Sequence, residues 1–294
     1  MTAASSTPAL RLQQHVREAI PEAQRLAERF DRLLEIVEDL GSCVLALSGG
    51  IDSSFLLEVT SRVLGSHCVA VTAESAALPA WDRAGAHQAG VSAESHGASW
   101  RAIATRELDD PRYAMNSRSR CYFCKAEVYG RLAEVARDEA LAHVIDGTNA
   151  TDAGASDRPG MAAASALGVR SPLAESGLSK DDVRALARAL GMQDWDRPAS
   201  ACLSSRIPHG VRITPELLRR VERTELGIRA LGFSQVRVRD FGDTARVEVD
   251  RPEVERLLAS HAVVDQVVRS TGFTAWTAAE YVGRGAGDIG DVPN

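Results

Sequence analysis

Between Pro21 and Leu40 the apolar residues Leu26, Phe30, Leu33, Leu34, Val37 and Leu40 recur every three or four positions, and Gly41 follows. That spacing predicts an amphipathic helix with one buried stripe and a glycine stop. CVLAL (43–47) is a short continuous apolar run and predicts a buried strand. SSFLLEVTSRVLG (53–65) returns to helical spacing, and CVAVTA (68–73) is a second strand. Strand, helix, strand is a βαβ unit and implies a parallel sheet. Further on, a helix is expected from about Lys125 to Ala140, and a strand within LAHVIDGTN (141–149) that breaks into a polar turn. A loop with a short helix follows, then a helix in SKDDVRALARALG (179–191) with Ser179 as its cap and Gly191 as its stop. The first 21 residues read as polar and loose, and 76–120 shows no clear period.

The pattern changes after RPASACLSSRIPHG (197–210). TPELLRRVERTELGIRALG reads as a helix, SQVRVRDFG and TARVEVD as alternating strands, and RPEVERLLAS as a further helix. These are the parts of a small α+β unit. The expected organisation is an N-terminal segment with its amphipathic helix (1–40), an α/β parallel-sheet domain (41–208) and a smaller α+β domain (209–294). No internal repeat or low-complexity tract is present.

Composition narrows the classes. A chain of 294 residues has room for two domains, and a net charge of −6 provides no overall basic field to draw nucleic acid. No apolar run reaches bilayer-spanning length, and MTAASSTPALRLQQHVREA lacks the charged start and apolar block of a secretory signal. Five cysteines in so long a chain do not make a disulfide scaffold. The expectation is a cytoplasmic protein without membrane or nucleic-acid partners, whose cysteines serve a metal, catalysis or the core.

The stretch VLALSGGIDSSFLLEV (44–59) leaves a strand through Ser48-Gly49-Gly50 and starts a helix at once. Such a turn presents backbone N–H groups without intrahelical partners at the positive end of a helix dipole, which suits phosphate oxygens. Ser48, Ser53 and Ser54 add hydroxyls, and Asp52 could cap the helix or help organise a magnesium ion. The alternative is a plain tight turn with a capped helix. The stretch matches neither G-x-x-x-x-G-K-[ST] nor G-x-G-x-x-G.

A second cluster of chemistry is SRSRCYFCKAEVY (117–129), which places Cys121 and Cys124 in a C-x-x-C beside Arg118, Arg120 and Lys125. Cationic neighbours favour thiolate. With Cys202, the pair could be part of an iron–sulfur site, a redox pair, or a structural zinc site completed by His209. Cys43 and Cys68 lie in predicted strands and read as core residues.

SGGIDSS resembles the pyrophosphate loop, S-G-G-x-D-S, of the ATP pyrophosphatases, which split ATP into AMP and pyrophosphate to adenylate a substrate. Taken with RCYFCK, DGTNATD, DRPG, GVRSPLAESGLSKDDVRALARALG, RPASACLSSRIPHG and GFSQVRVR, the resemblance narrows to the LarE-type sulfur transferases and covers most of the chain. The resemblance implies a PP-loop fold for the larger domain and a pyridinium dicarboxylate mononucleotide as substrate. The carboxylates of that substrate are adenylated and converted to thiocarboxylates during synthesis of a nickel-pincer nucleotide.

Site residues carry over from the same resemblance. Ser48, Gly49, Gly50, Asp52, Ser53 and Ser54 would hold the pyrophosphate end of ATP, and Thr72, Ala73 and Ser75 would border adenine. Gly147, Thr148, Asn149, Asp152 and Arg158 would serve ATP and Mg2+. Ser205, Arg206, Glu225, Arg237 and Arg239 would surround the substrate phosphate, against the plainer reading of solvated arginines and a surface glutamate. Cys121, Cys124 and Cys202 match the branch that carries a [4Fe–4S] cluster; without a cluster, Cys202 is the candidate sacrificial sulfur donor. A homo-oligomer is implied too. The tail AAEYVGRGAGDIGDVPN departs from the family pattern, and Arg284 is a candidate for its arginine. Two readings compete: an ammonia-using ligase of the NAD- or GMP-synthase kind, which shares the loop but needs no cysteines, and a non-catalytic nucleotide- or zinc-binding module.

Overall fold

The computed structural model describes residues 7–20, 23–154, 159–198 and 200–282. In chain order the elements are α1 (Pro8–Ala19), α2 (Gln24–Leu40), β1 (Cys43–Ala46), α3 (Ile51–Leu64), β2 (Cys68–Glu74), α4 (Ala80–Glu94), β3 (Ser99–Ala104), α5 (Pro111–Ala114), α6 (Arg120–Asp138) and β4 (His143–Asp146). Then follow α7 (Ala150–Ala153), α8 (Pro159–Ala166), α9 (Pro172–Glu175), α10 (Lys180–Ala189), α11 (Pro215–Arg229), β5 (Val236–Phe241), β6 (Thr244–Val249), α12 (Val254–Ala259), α13 (His261–Ser270) and β7 (Ala275–Glu280). Among the described residues no helix is long and apolar enough to cross a membrane.

Two compact units divide the chain. The first takes the described residues of Met1–Glu74, Trp81–Thr105 and Cys121–Ser200; the second takes those of Ser75–Ala80, Arg106–Arg120 and Ala201–Asn294.

In the first unit four parallel strands run in the order β3-β2-β1-β4. Both faces of this sheet are covered, which is why β1 and β2 read as unbroken apolar runs. Cys43, Leu45 and Leu47 pack with α1, α2, α3 and α10, whereas Val44, Val69, Val71 and Val144 meet Leu132 and Ala136 of α6. Cys43 and Cys68 stand opposite each other in register, fully buried, as expected of core residues. Helix α10 starts with a capping box: Ser179 and Asp182 each take a backbone N–H of the other's end.

The reading of residues 1–21 as loose is corrected by α1. Thr7 caps it, with Pro8 in its first turn, and Ala9, Leu12 and Val16 are buried at helical spacing. Three small or medium apolar residues among charged ones make a narrow stripe, enough to dock a helix on α2 but little contrast in a sequence.

The second unit is built on a three-stranded sheet, β5-β6-β7. β5 and β6 form an antiparallel hairpin that turns through Gly242, whose φ of +74° only glycine adopts without strain. β7 adds in parallel to β6. α11 packs on β5 through Leu218, Val221 and Ile228.

Candidate active site

Strand order reverses between β1 and β4, because β2 and β3 lie on the other side of β1. In open parallel sheets the crevice beyond the carboxyl ends of two such strands is where ligands bind. The loop after β1 is Leu47–Gly50 and the loop after β4 is Gly147–Asn149. The second loop presses on the first turn of α3 so closely that a Cβ on Gly147 would lie 2.7 Å from the Ser53 backbone nitrogen.

The paired glycines of the first loop do different things. Gly49 has φ +79°, and a Cβ there would sit 1.9 Å from the Asp82 carbonyl oxygen, so it needs both the conformation and the space. Gly50 is extended, with the nearest atom to a Cβ 3.6 Å away, and it is the N-cap of α3 with no side chain bonding the helix end. Asp52 therefore does not cap α3, and the first-turn amides stay available to a ligand. Inside the loop the Ser53 hydroxyl accepts from the Ser48 amide (3.2 Å), lies 3.0 Å from the Ser48 hydroxyl and donates to the Gly50 carbonyl (3.1 Å). Ser54 joins the helix by donating its amide to Gly50. From behind, Arg197 donates to the Gly49 carbonyl at 3.1 Å.

Two carboxylates converge beside this loop. The Asn149 amide donates to Asp52 (3.2 Å) and to Asp152 (3.4 Å), while its oxygen caps α7 by accepting from the Asp152 backbone. Burial holds the Asp52 carboxyl above the usual carboxylate range; Asn149 pulls it down, the Asp152 charge pushes it up, and Lys180 and Arg184 pull it down again. A raised carboxyl beside a second carboxylate is what a divalent cation would relieve.

Asp146, at the end of β4, is a buried hub. It accepts from the Thr148 amide (3.0 Å) and hydroxyl (2.9 Å), from Ser171 (2.7 Å) and from the Tyr129 hydroxyl (2.5 Å). Lys125 donates to the same tyrosine oxygen at 3.0 Å. Burial works to lower the Lys125 ammonium, but Tyr129, Asp146 and Cys124 outweigh it and hold it above the ordinary lysine range. Burial pushes Tyr129 to about 12, so its hydroxyl stays a donor at neutral pH.

In the second unit, Arg206, Arg237 and Arg239 are all buried, with Glu225 and Glu248 among them. Glu225 takes both ends of the Arg206 guanidinium (2.8 and 3.1 Å) and also the Val238 amide (2.9 Å). Arg239 pairs with Glu248 at 2.5 Å and reaches the Ser205 carbonyl at 3.4 Å. Among the described residues Arg237 has neither: it lies over the Tyr281 ring at 4.8 Å, and its buried Nε has no hydrogen-bond partner. Burial first, and then the charges of Arg206 and Arg239, press its pKa below the ordinary arginine range, with Tyr281 and Glu225 opposing. An unpaired buried guanidinium beside two paired ones is an anion site in waiting.

Cys121 and Cys124 stand one turn apart in α6 of the first unit, and Cys202 precedes the turn Leu203–Arg206 of the second. None of the three is in a disulfide, and all are half-buried. Among the described residues no three His, Cys, Asp or Glu side chains gather into a metal-binding group.

No family model matches the chain. The pyridinium-3,5-bisthiocarboxylic acid mononucleotide synthase of Lactiplantibacillus plantarum is 35% identical over 251 residues, 84% of this chain and 89% of its own length. The chain belongs to the LarE family. An uncharacterized protein of Synechocystis is 39% identical over 79% of this chain and 85% of its own length. Another, from Methanocaldococcus jannaschii, is 27% identical over 70% of this chain and 77% of its own length.

Of the residues the sequence proposed for this LarE-type chain, the structure brings Ser48–Ser54, Gly147–Asn149 and Asp152 to one end of the first sheet. Ala73 lies in β2, and the hydroxyl of Thr72 beside it accepts from the Trp100 indole (3.0 Å). Ser75 belongs to the second unit, where its hydroxyl takes the Ala77 amide at 3.1 Å. Ser205, Arg206, Glu225 and Arg239 are joined by hydrogen bonds in the second unit, and Arg237 feels the charges of Arg206, Arg239 and Glu225. Arg158 and Arg284 fall outside the described residues. Sequence reasoning did not single out Tyr129, Ser171 or Arg197. The signal available for Arg197 was its place at the head of RPASAC; the other two carried none.

Proposed function

We propose that this protein is an ATP-dependent sulfur transferase that converts a carboxylate of a pyridinium dicarboxylate mononucleotide into a thiocarboxylate, in nickel-pincer nucleotide biosynthesis. The observation that carries the proposal is the crevice at the sheet's switch point, where an uncapped helix start, two serine hydroxyls and the Asp52–Asn149–Asp152 group surround the space a triphosphate and Mg2+ would fill. Membership of the LarE family supports the choice of reaction.

In this reading the first unit holds the β- and γ-phosphates on the amides that follow Gly50, with Asp52 and Asp152 facing the magnesium. A substrate carboxylate oxygen attacks the α-phosphorus, the bond to the bridging oxygen breaks, and pyrophosphate leaves with that electron pair. The Arg237 guanidinium of the second unit takes the substrate's phosphate, with Arg206 and Arg239 held by Glu225 and Glu248. Sulfur then attacks the acyl carbon and AMP departs with the C–O electron pair. Adenylation is needed because an oxide leaves far worse than AMP does.

A [4Fe–4S] cluster held by Cys121, Cys124 and Cys202 would supply the sulfur nucleophile when bound. Three cysteine thiols outside any disulfide are the right donor chemistry for it. The family resemblance further supports a homo-oligomer working in the cytoplasm. Protein purified without oxygen, given ATP, Mg2+ and the pyridinium substrate, should release pyrophosphate and form thiocarboxylate seen by mass. Pyrophosphate released with ammonia and an amide product would favour the ligase, and nucleotide bound without turnover would favour a regulatory module.

A further inference from the structure

Cys202 opens a turn held by several hydrogen bonds. Its own carbonyl accepts from the Ser205 amide (3.0 Å), the Ser205 hydroxyl (2.8 Å) and Arg206 (3.1 Å), and the Leu203 amide donates to Ala77 (2.9 Å). The segment 106–120, from the same unit, clasps the rest. The Tyr113 hydroxyl meets that of Ser204 at 2.6 Å, and Arg120 donates to the Ser204 carbonyl at 3.0 Å. Asn116, fully buried at φ +55°, donates to the Ile207 (3.2 Å) and Pro208 (2.8 Å) carbonyls and accepts from Arg120.

Arg120 is the odd member of this clasp. It is 7% exposed, its Nε is buried without a hydrogen-bond partner, and it makes no ion pair with a carboxylate among the described residues. A neutral side chain could bridge an amide oxygen and a carbonyl at less cost, since a buried charge without a counter-charge opposes folding. The charge therefore calls for an anion other than a carboxylate of the described residues. Arg120 grips the turn that Cys202 begins and is the covalent neighbour of Cys121.

We propose that Arg120 is a positioning residue for the sulfur step: held by Asn116, it fixes the Cys202 turn and gives the anionic sulfur carried there, thiolate or sulfide, its counter-charge. The role rests on the sulfur-transfer function proposed above and assigns Arg120 no part in holding ATP.

The test is Arg120→Gln, which can keep the bridge and loses the charge, beside Arg120→Lys, which keeps the charge. Pyrophosphate release and thiocarboxylate formation are followed separately, with iron and acid-labile sulfide per chain measured on the same samples. The Gln variant should release pyrophosphate within about twofold of wild type, form thiocarboxylate at least about tenfold more slowly, and retain less sulfide per iron, with Lys recovering part of each. Unchanged thiocarboxylate formation, an equal fall of both steps, or a Lys variant no better than Gln would overturn the proposal. If the Gln variant does not fold, the Lys variant alone must show the sulfur step slowed more than pyrophosphate release. A wild-type protein that releases no pyrophosphate is the separate failure of the function itself.

Discussion

Around Ser48–Gly50 the polar groups facing the crevice are backbone amides and short hydroxyls, arranged by where two parallel strands end. In the second unit the polar groups are full charges inside the fold, Arg206 on Glu225 and Arg239 on Glu248, with Arg237 left over. In the proposed reading the first region takes a ligand by leaving donors unsatisfied at little cost to the fold. The second holds charges that the fold must keep paired. Disturbing the second should therefore unfold the protein, whereas disturbing the first should spare the fold and stop the chemistry.

The sharpest break is Glu225→Ala. Glu225 is wholly buried and takes three donors, so its loss strands the Arg206 charge and the Val238 amide. Denaturant unfolding should show a loss of about 3–5 kcal/mol. A loss below about 1 kcal/mol would mean that water reaches Arg206 and the contrast is false. Next comes Gly49→Ala, which forces a Cβ against the Asp82 carbonyl. Pyrophosphate release should fall at least ~100-fold, or ~2.7 kcal/mol of barrier. Gly50→Ala, which has room for its methyl, should stay within about threefold.

The same contrast explains what was legible in the sequence. β1, α3 and β2 were readable because a sheet covered on both faces needs unbroken apolar runs, and the loop because its glycines sit between a strand and a helix. Within 76–120, α4 buries Asp82, Ala86, Gly90 and Ala93, a face made of small residues that gives no hydropathy contrast. β3 and β7 are sheet edges with largely exposed side chains, so alternation fades there too. Without the family resemblance, Arg237 and Arg239 read as a solvated face because nothing local reveals Glu225 and Glu248, which reach them from α11 and β6. That segments 75–80 and 106–120 join the second unit is a matter of long-range contacts, invisible to any local pattern.

Arg237 sharpens the comparison, since it alone of Arg206, Arg237 and Arg239 is expected to behave like the first region. Arg237→Met removes an unpaired buried charge, so stability should hold or rise by up to about 2 kcal/mol. Affinity for the pyridinium mononucleotide should meanwhile weaken about 10- to 100-fold through loss of its phosphate contact. Titration calorimetry together with unfolding curves reads both signs. Loss of stability with affinity intact would reverse the assignment.

The smallest effect belongs to Asp52. Its folded-state pKa is raised above the ordinary 3.8, mainly by burial, so the native state holds this proton more tightly than the unfolded chain does. The stability it contributes is present below 3.8 and is lost as pH rises through the raised value. Without nucleotide or metal, Asp52→Asn should therefore flatten the decline in unfolding temperature as pH rises above 3.8. Adding Mg2+ and ATP should then stabilise wild type more than the variant at neutral pH, because a cation favours the ionised carboxylate. If both proteins gain equally, Asp52 does not face the metal, and the first region's ligand is held by backbone alone.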